Sequence, residues 1–132
     1  MAASAPVAAL TDYEGACLDQ DADERAIRNV LDRIGDKWSL LVIGTLRNGR
    51  LRFSELQRHI PGISQRMLTL TLRQLERDGL LERTVHAEVP PRVEYELTSM
   101  GETLIDTSIT LLRWALENQP AIEKARAEFD AR

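Results

Sequence analysis

A single cysteine, Cys17, and two histidines, His59 and His86, stand in a chain of 132 residues. One thiol cannot build an intrachain disulfide framework or a Cys-only metal site, and its scarcity fits a reducing compartment, although a bridge between two chains stays open. The histidines fall at a helix end and in a strand, with no second ligand at metal spacing, and the sequence holds no Gly-rich phosphate loop, HExxH or CxxC. A thiol enzyme built on Cys17 would need a nearby base, which its sequence context lacks. No enzyme, cofactor or metal site is expected. No segment approaches ~18 uninterrupted apolar residues. The start MAASAPVAAL has neither the basic opening nor the apolar length of a signal peptide, so a cytoplasmic protein without membrane association is expected.

With 43% hydrophobic residues the chain can bury one compact core and is too short for two ordinary domains. Its net charge of −4 argues, taken alone, against nucleic acid. The distribution of that charge along the chain points the other way. Residues 1–46 carry 4 Lys/Arg against 8 Asp/Glu, residues 47–92 carry 9 against 5, and residues 93–132 carry 4 against 8. Net positive charge is confined to the middle segment, and an acidic remainder discourages indiscriminate binding along DNA.

That middle segment has the layout of a helix-turn-helix. Ser54 is a candidate N-cap, with Gln57 completing a capping box, and Leu56 and Ile60 share one face. Pro61-Gly62 stops the helix where the motif needs its turn. Ser64 caps the next helix, in which Leu68, Leu72 and Leu75 form a buried stripe to about Asp78, and Gly79 ends it. The 100° step then turns Gln65, Arg66, Thr69, Leu70, Arg73 and Arg77 outward, mostly donors suited to base edges and phosphates. Beyond Gly79 the pattern predicts a β-hairpin wing: a strand over Leu80 to Ala87, a turn around Val89-Pro90-Pro91, and an alternating strand from Arg92 to Leu97. Arg92 at the tip is a candidate contact to a minor groove or phosphate; its other reading is a solvated turn residue. His59 reads as a surface or backbone-contacting residue and His86 as packed in the wing.

The rest of the chain supports this unit. Residues 1–22 lack periodicity and read as a mobile or partner-stabilised arm. Ala26, Ile27, Val30, Leu31 and Ile34 follow helical spacing up to Gly35, with Asp21 or Asp23 as cap. Trp38, Leu40, Leu41, Val42, Ile43 and Leu46 predict a deeply buried helix, capped by Asp36 and ending at Asn48-Gly49. Leu51 to Phe53 can form a short strand against the wing. After the hairpin, Thr98 or Ser99 caps a helix, with Glu102 able to close a box with Ser99. Its apolar positions, among them Leu104, Ile105, Ile109, Leu111, Leu112, Trp114 and Ala115, cover more than one face as far as Pro120. Such a helix needs a second surface, and together with Ile27 and Leu31 it reads as a dimer element. Residues 120–132 read as a separate amphipathic tail helix using Ile122, Ala125 and Phe129. The expected fold is mainly α with a small β-hairpin: a winged helix-turn-helix domain over 23–119 with N- and C-terminal dimerisation helices.

The strings DKWSLLVIGTL, GRLRFSELQRHIPGISQRMLTLTLRQLERDGLLER and PPRVEYELTSMGETL resemble the HxlR-type winged-helix transcriptional regulators, relatives of the MarR-like group, from about Ala26 to Leu116. The resemblance implies a homodimer on a short palindromic double-stranded DNA operator, read here as a repressor, with the helix after Ser64 in the major groove and the wing alongside. It places Lys37, at the start of the Trp38 helix, near the DNA backbone, and Arg52 completes the set of DNA-binding candidates. Members of the family also sense small electrophiles or oxidants through an N-terminal cysteine, which makes Cys17 a redox-sensing candidate. The common pattern has Cys-Pro ahead of the first helix; this chain has Cys17-Leu18 and the acidic spacer DQDADER. Glu14, Asp19 and Asp21 disfavour the thiolate, while exposure of the arm favours reaction, so a sensor and an inert thiol both stay open. The alternative for the whole chain is a winged helix used only for protein interaction, which would leave the basic segment unexplained.

Overall fold

The computed structural model describes residues 21–132. Cys17 and nearly all of the expected arm lie outside the described residues. The chain divides into two units, one up to Asp36 and one from Lys37 onward.

The first unit contains helix α1, Asp21–Ile34. Arg28 pairs with Glu24 one turn back at 3.6 Å. The helix closes on a hydrogen bond from the Gly35 amide to the Leu31 carbonyl, and a Cβ at Gly35 would stand 2.7 Å from that same oxygen, so glycine fits the exit. Val30 and Leu31 are exposed and Ile27 is half-buried.

The second unit holds α2 (Lys37–Thr45), a single 3-10 turn (Leu46–Asn48), β1 (Leu51–Arg52), α3 (Phe53–His59), α4 (Gln65–Arg77), β2 (Leu81–His86), β3 (Arg92–Leu97), α5 (Ser99–Glu102) and α6 (Ile105–Asp130). The three strands form an antiparallel sheet in the order β1-β3-β2. The described chain is therefore mostly helical with a small sheet. The core gathers Val42 and Ile43 from α2, Leu46 from the turn after it, Leu56 from α3, Leu68, Leu72 and Leu75 from α4, and Leu81 and Tyr95 from the sheet.

The break between α3 and α4 is a type II turn. Pro61 stands at its second position and Gly62, at φ +88°, at its third, closed by the Ile63 amide on the Ile60 carbonyl at 3.3 Å. Ile60 and Ile63 are both buried, so the ends of the turn are pinned in the core. Ser64 caps α4 as expected, its Oγ accepting from the Met67 amide at 3.0 Å, an arrangement worth about 1 kcal/mol. At the other end the Leu80 amide reaches the Leu75 carbonyl and the Gly79 amide reaches that of Glu76, with Gly79 at φ +77°. That double closure is the Schellman motif.

Two local expectations change, and one pair of alternatives is decided. The cap of α3 is not Ser54: the helix already starts at Phe53, and the Arg52 amide donates to Glu55 Oε1 at 2.8 Å. Extended pairing of Arg52 with Glu94 in the sheet moves the start one residue earlier and gives the closing role to Glu55 instead of Gln57. At α5 the cap is Thr98, the first of the two candidates, and it also ties the wing to α4: its amide donates to the Leu80 carbonyl and its hydroxyl donates to the Gly79 carbonyl while accepting from the Gly101 amide. Finally, α6 runs through Pro120 to Asp130, so residues 120–132 do not form a separate helix. Proline removes one amide donor, and the neighbouring turns are braced by Asn118 Nδ2 on the Trp114 carbonyl at 2.9 Å and by Gln119 on Glu123.

Candidate nucleic-acid interface

Helix α4 presents its two faces cleanly. Leu68, Thr71, Leu72 and Leu75 are buried, and Gln65, Arg66, Thr69, Leu70, Arg73 and Arg77 are exposed. At 100° per residue Arg66, Arg73 and Arg77 fall within a narrow sector directly opposite the buried stripe, with Leu70 beside them. Thr69 spends its hydroxyl proton on the Gln65 carbonyl at 2.8 Å, which leaves its oxygen able to accept. Among the described residues these three arginines form no ion pair. The helix therefore carries three outward guanidinium groups, each with its five donors free for phosphate or guanine.

The wing is organised differently. Its register sets His86 opposite Arg92, Thr84 opposite Glu94 and Arg83 opposite Tyr95. Alternation then puts Arg92, Glu94 and Glu96 on one face of β3, and Val93, Tyr95 and Leu97 on the face toward the core. On the polar face the cations are met by carboxylates. Arg50 lies 3.6 Å from Glu94 and 3.4 Å from Glu96, and Arg92 lies 3.1 Å from Glu88. His86 Nε2 donates to Glu94 Oε1 at 2.7 Å. This hydrogen bond holds the Glu94 carboxyl below its ordinary 4.5; partial desolvation opposes it, and the charges of Arg92, His86 and Arg50 add to the lowering. Arg92 opens β3 and is half-buried, so it is fixed in the sheet rather than free at a tip. Arg52 pairs with Glu94 in register and belongs to this same face, away from the exposed sector of α4.

Between α4 and the core-facing side of β2 and β3 lies a groove of about 390 Å³, lined by Thr69, Leu72, Arg73, Glu76, Arg83 and Tyr95. It brings together two of the sequence candidates, Thr69 and Arg73, and adds Arg83 and Glu76, which sequence reasoning passed over. The signal for Arg83 was its place two residues after Leu81 on the inward face of the strand, legible only once strand and register are known. Arg50 was missed for a related reason: it precedes β1, and the carboxylates that hold it are 44 and 46 residues away. Lys37 opens α2, its Nζ 4.8 Å over the ring of Trp38. His59 donates from Nδ1 to the Glu55 carbonyl at 2.7 Å.

The terminal helix separates its apolar residues by side. Leu104 and Ile105 pack against the core of their own chain, and Leu112 is half-buried, its Cδ1 3.3 Å from where a Gly44 Cβ would stand. Leu111, Trp114, Ala115, Leu116 and Phe129 are exposed. Among the described residues no helix is long and apolar enough to cross a membrane.

These features have close counterparts. Residues 33–123 match the model of the HxlR-like helix-turn-helix family. An uncharacterised HTH-type transcriptional regulator of Methanothermobacter thermautotrophicus is 48% identical over 102 residues, 77% of this chain and 78% of the relative. Among solved structures, ytfH from Salmonella typhimurium, assigned as a transcriptional regulator, is 40% identical, with a TM-score of 0.71 over 76% of this chain and 89% of that one. The redox regulator HypR in its reduced form is 41% identical, with a TM-score of 0.67 over 75% and 98% of the two chains. The relatives are transcriptional regulators, not enzymes, and the described fold is the winged helix of the MarR-like group. This chain belongs to the HxlR-like helix-turn-helix family of transcriptional regulators.

Proposed function

We propose that this regulator is a cytoplasmic homodimer that binds a palindromic operator as a repressor, and that oxidants or electrophiles modulate it through Cys17. The observation that carries the DNA reading is the Arg66, Arg73 and Arg77 sector, without an ion pair among the described residues, directly opposite the buried stripe of a helix capped by Ser64. Gln65 and Thr69 extend that surface toward base edges, and Lys37 at the start of α2 adds a phosphate contact. Exposed Leu111, Trp114 and Ala115 on α6, with Leu31 and Ile27 on α1, supply apolar surface for a second copy. Two-fold pairing sets the recognition helices about one turn of DNA, ~34 Å, apart. For the sensing step the support is the likeness to HypR, a protein named for redox regulation.

A gel shift on the protein's own upstream region, repeated from ~50 to ~200 mM salt, tests the DNA reading, because several phosphate contacts per dimer make affinity fall steeply with salt. Absence of binding at the lowest salt would remove it. Diamide or a quinone is expected to change operator affinity in the wild type and to have no effect in Cys17→Ser. A response that survives this substitution excludes Cys17.

A further inference from the structure

We infer that Arg83, and not Arg92 at the end of the hairpin, is the main wing cation that meets DNA, and that with Arg73 it holds one backbone phosphate in the groove between α4 and the sheet. The inference rests on the proposed DNA reading and identifies which atoms of the DNA that groove receives. When a helix occupies the major groove and a neighbouring hairpin lies over the adjacent minor groove, the sugar-phosphate strand that separates those grooves must pass between helix and hairpin. In this protein that passage is the groove lined by Thr69, Arg73, Glu76, Arg83 and Tyr95. Arg73 reaches it from the helix, and Arg83 reaches it from the second inward-facing position of β2. With Glu76 on the same wall, the groove carries a net of one positive charge, which suits a single phosphate.

The competing cation is already engaged. Arg92 is half-buried and paired with Glu88 at 3.1 Å, on the strand face that also carries Glu94 and Glu96. A phosphate brought to that face meets three carboxylates. Arg83 is exposed and, among the described residues, forms no ion pair, so no partner has to be displaced before it binds an anion.

The test compares wild type, Arg83→Ala, Arg83→Lys and Arg92→Ala on a duplex from the protein's own upstream region, by gel shift from ~50 to ~200 mM salt and by phosphate ethylation interference. Thermal melts check that each variant stays folded. Arg83→Ala is expected to weaken binding about tenfold and to flatten the salt slope by about one unit per subunit. It should also erase interference at one phosphate in each half-site. Arg83→Lys keeps the charge and restores the slope with intermediate affinity. Arg92→Ala stays within about twofold of wild type. If wild type binds and Arg83→Ala keeps its slope and its interference pattern, the inference fails while the DNA reading stands; the same holds if Arg92→Ala shows the loss instead. If wild type itself does not bind at the lowest salt, the DNA reading fails and the inference with it.

Discussion

The outer face of α4 and the outer face of the wing are both rich in arginine, yet they differ in what the arginines can do. On α4 the guanidinium groups of Arg66, Arg73 and Arg77 point outward with no ion pair among the described residues. On the wing Arg50 and Arg92 are held by Glu94, Glu96 and Glu88. Charge counted along the sequence treats these cations alike. The fold separates them, because Glu94 and Glu96 lie just beyond the basic segment of residues 47–92 and are folded back onto it by the β1-β3 pairing. Ion pairs of this kind, partly open to solvent, add little to stability. Their effect is on availability: they remove cations from the pool that can bind phosphate and leave the helix as the principal anionic-ligand surface.

The largest expected effect comes from the joint that fixes the two regions against each other. A Cβ on Gly101 would stand 1.9 Å from the Leu80 carbonyl oxygen, a backbone atom that also accepts from the Thr98 amide. Gly101→Ala must push α5 away from the end of α4 and the base of the wing. A loss of stability at or above ~3 kcal/mol, the upper end of ordinary overpacking, is expected in a denaturant melt, with DNA binding lost in parallel. A variant that melts like wild type would mean that the joint is soft and that helix and wing are set independently. Next in size are the helix cations. Arg66→Ala and Arg73→Ala are each expected to weaken operator binding by ~1–3 kcal/mol, differing in sequence dependence according to which one reads a base. Arg50→Ala, which removes an already neutralised cation, is expected to change binding by less than about 0.5 kcal/mol. Equal losses for Arg50 and Arg73 would erase the difference between the two faces.

What could be read without coordinates follows from the range of the interactions involved. The Ser64 cap, the Pro61-Gly62 turn, the Gly79 exit and the Leu68, Leu72, Leu75 stripe are all fixed by neighbours within a few residues, and the sequence shows each of them. The pairing of Leu51 with Tyr95 was within reach because a short apolar segment next to a hairpin has few other places to go. The start of α3 was not, since it depends on Arg52 pairing across the sheet with Glu94 before the helix begins. Continuation of α6 through Pro120 was also hidden: proline usually ends a helix, and only the bracing by Asn118 and Gln119 shows why this one goes on. Among the site residues, the exposed sector of α4 needed only helical periodicity. Arg83 and the neutralisation of Arg92 needed strand register, which no local pattern supplies. The division of the α6 apolar residues into Leu104 and Ile105 inward and Leu111 and Trp114 outward likewise waited for the packing of α2 against that helix.

The smallest expected effect probes the wing network directly. Glu94 is held below its ordinary 4.5 chiefly by the hydrogen bond from His86, with Arg92 and Arg50 nearby. A carboxyl whose folded value is lowered contributes stability that is fully present above the ordinary value of 4.5 and is lost as the pH falls through the lower folded one. The difference in urea midpoint between wild type and Glu94→Gln should therefore persist from about pH 7 down to about pH 5 and shrink below that. Because Arg50 and the edge of this network are open to solvent, ~1 M salt should shrink the difference as well. If the difference instead vanished between about pH 7 and pH 5 and was insensitive to salt, the carboxylate would not be what holds His86, Arg50 and Arg92 on that face. The wing would then have cations to spare, and the contrast with α4 would have to be redrawn from packing alone.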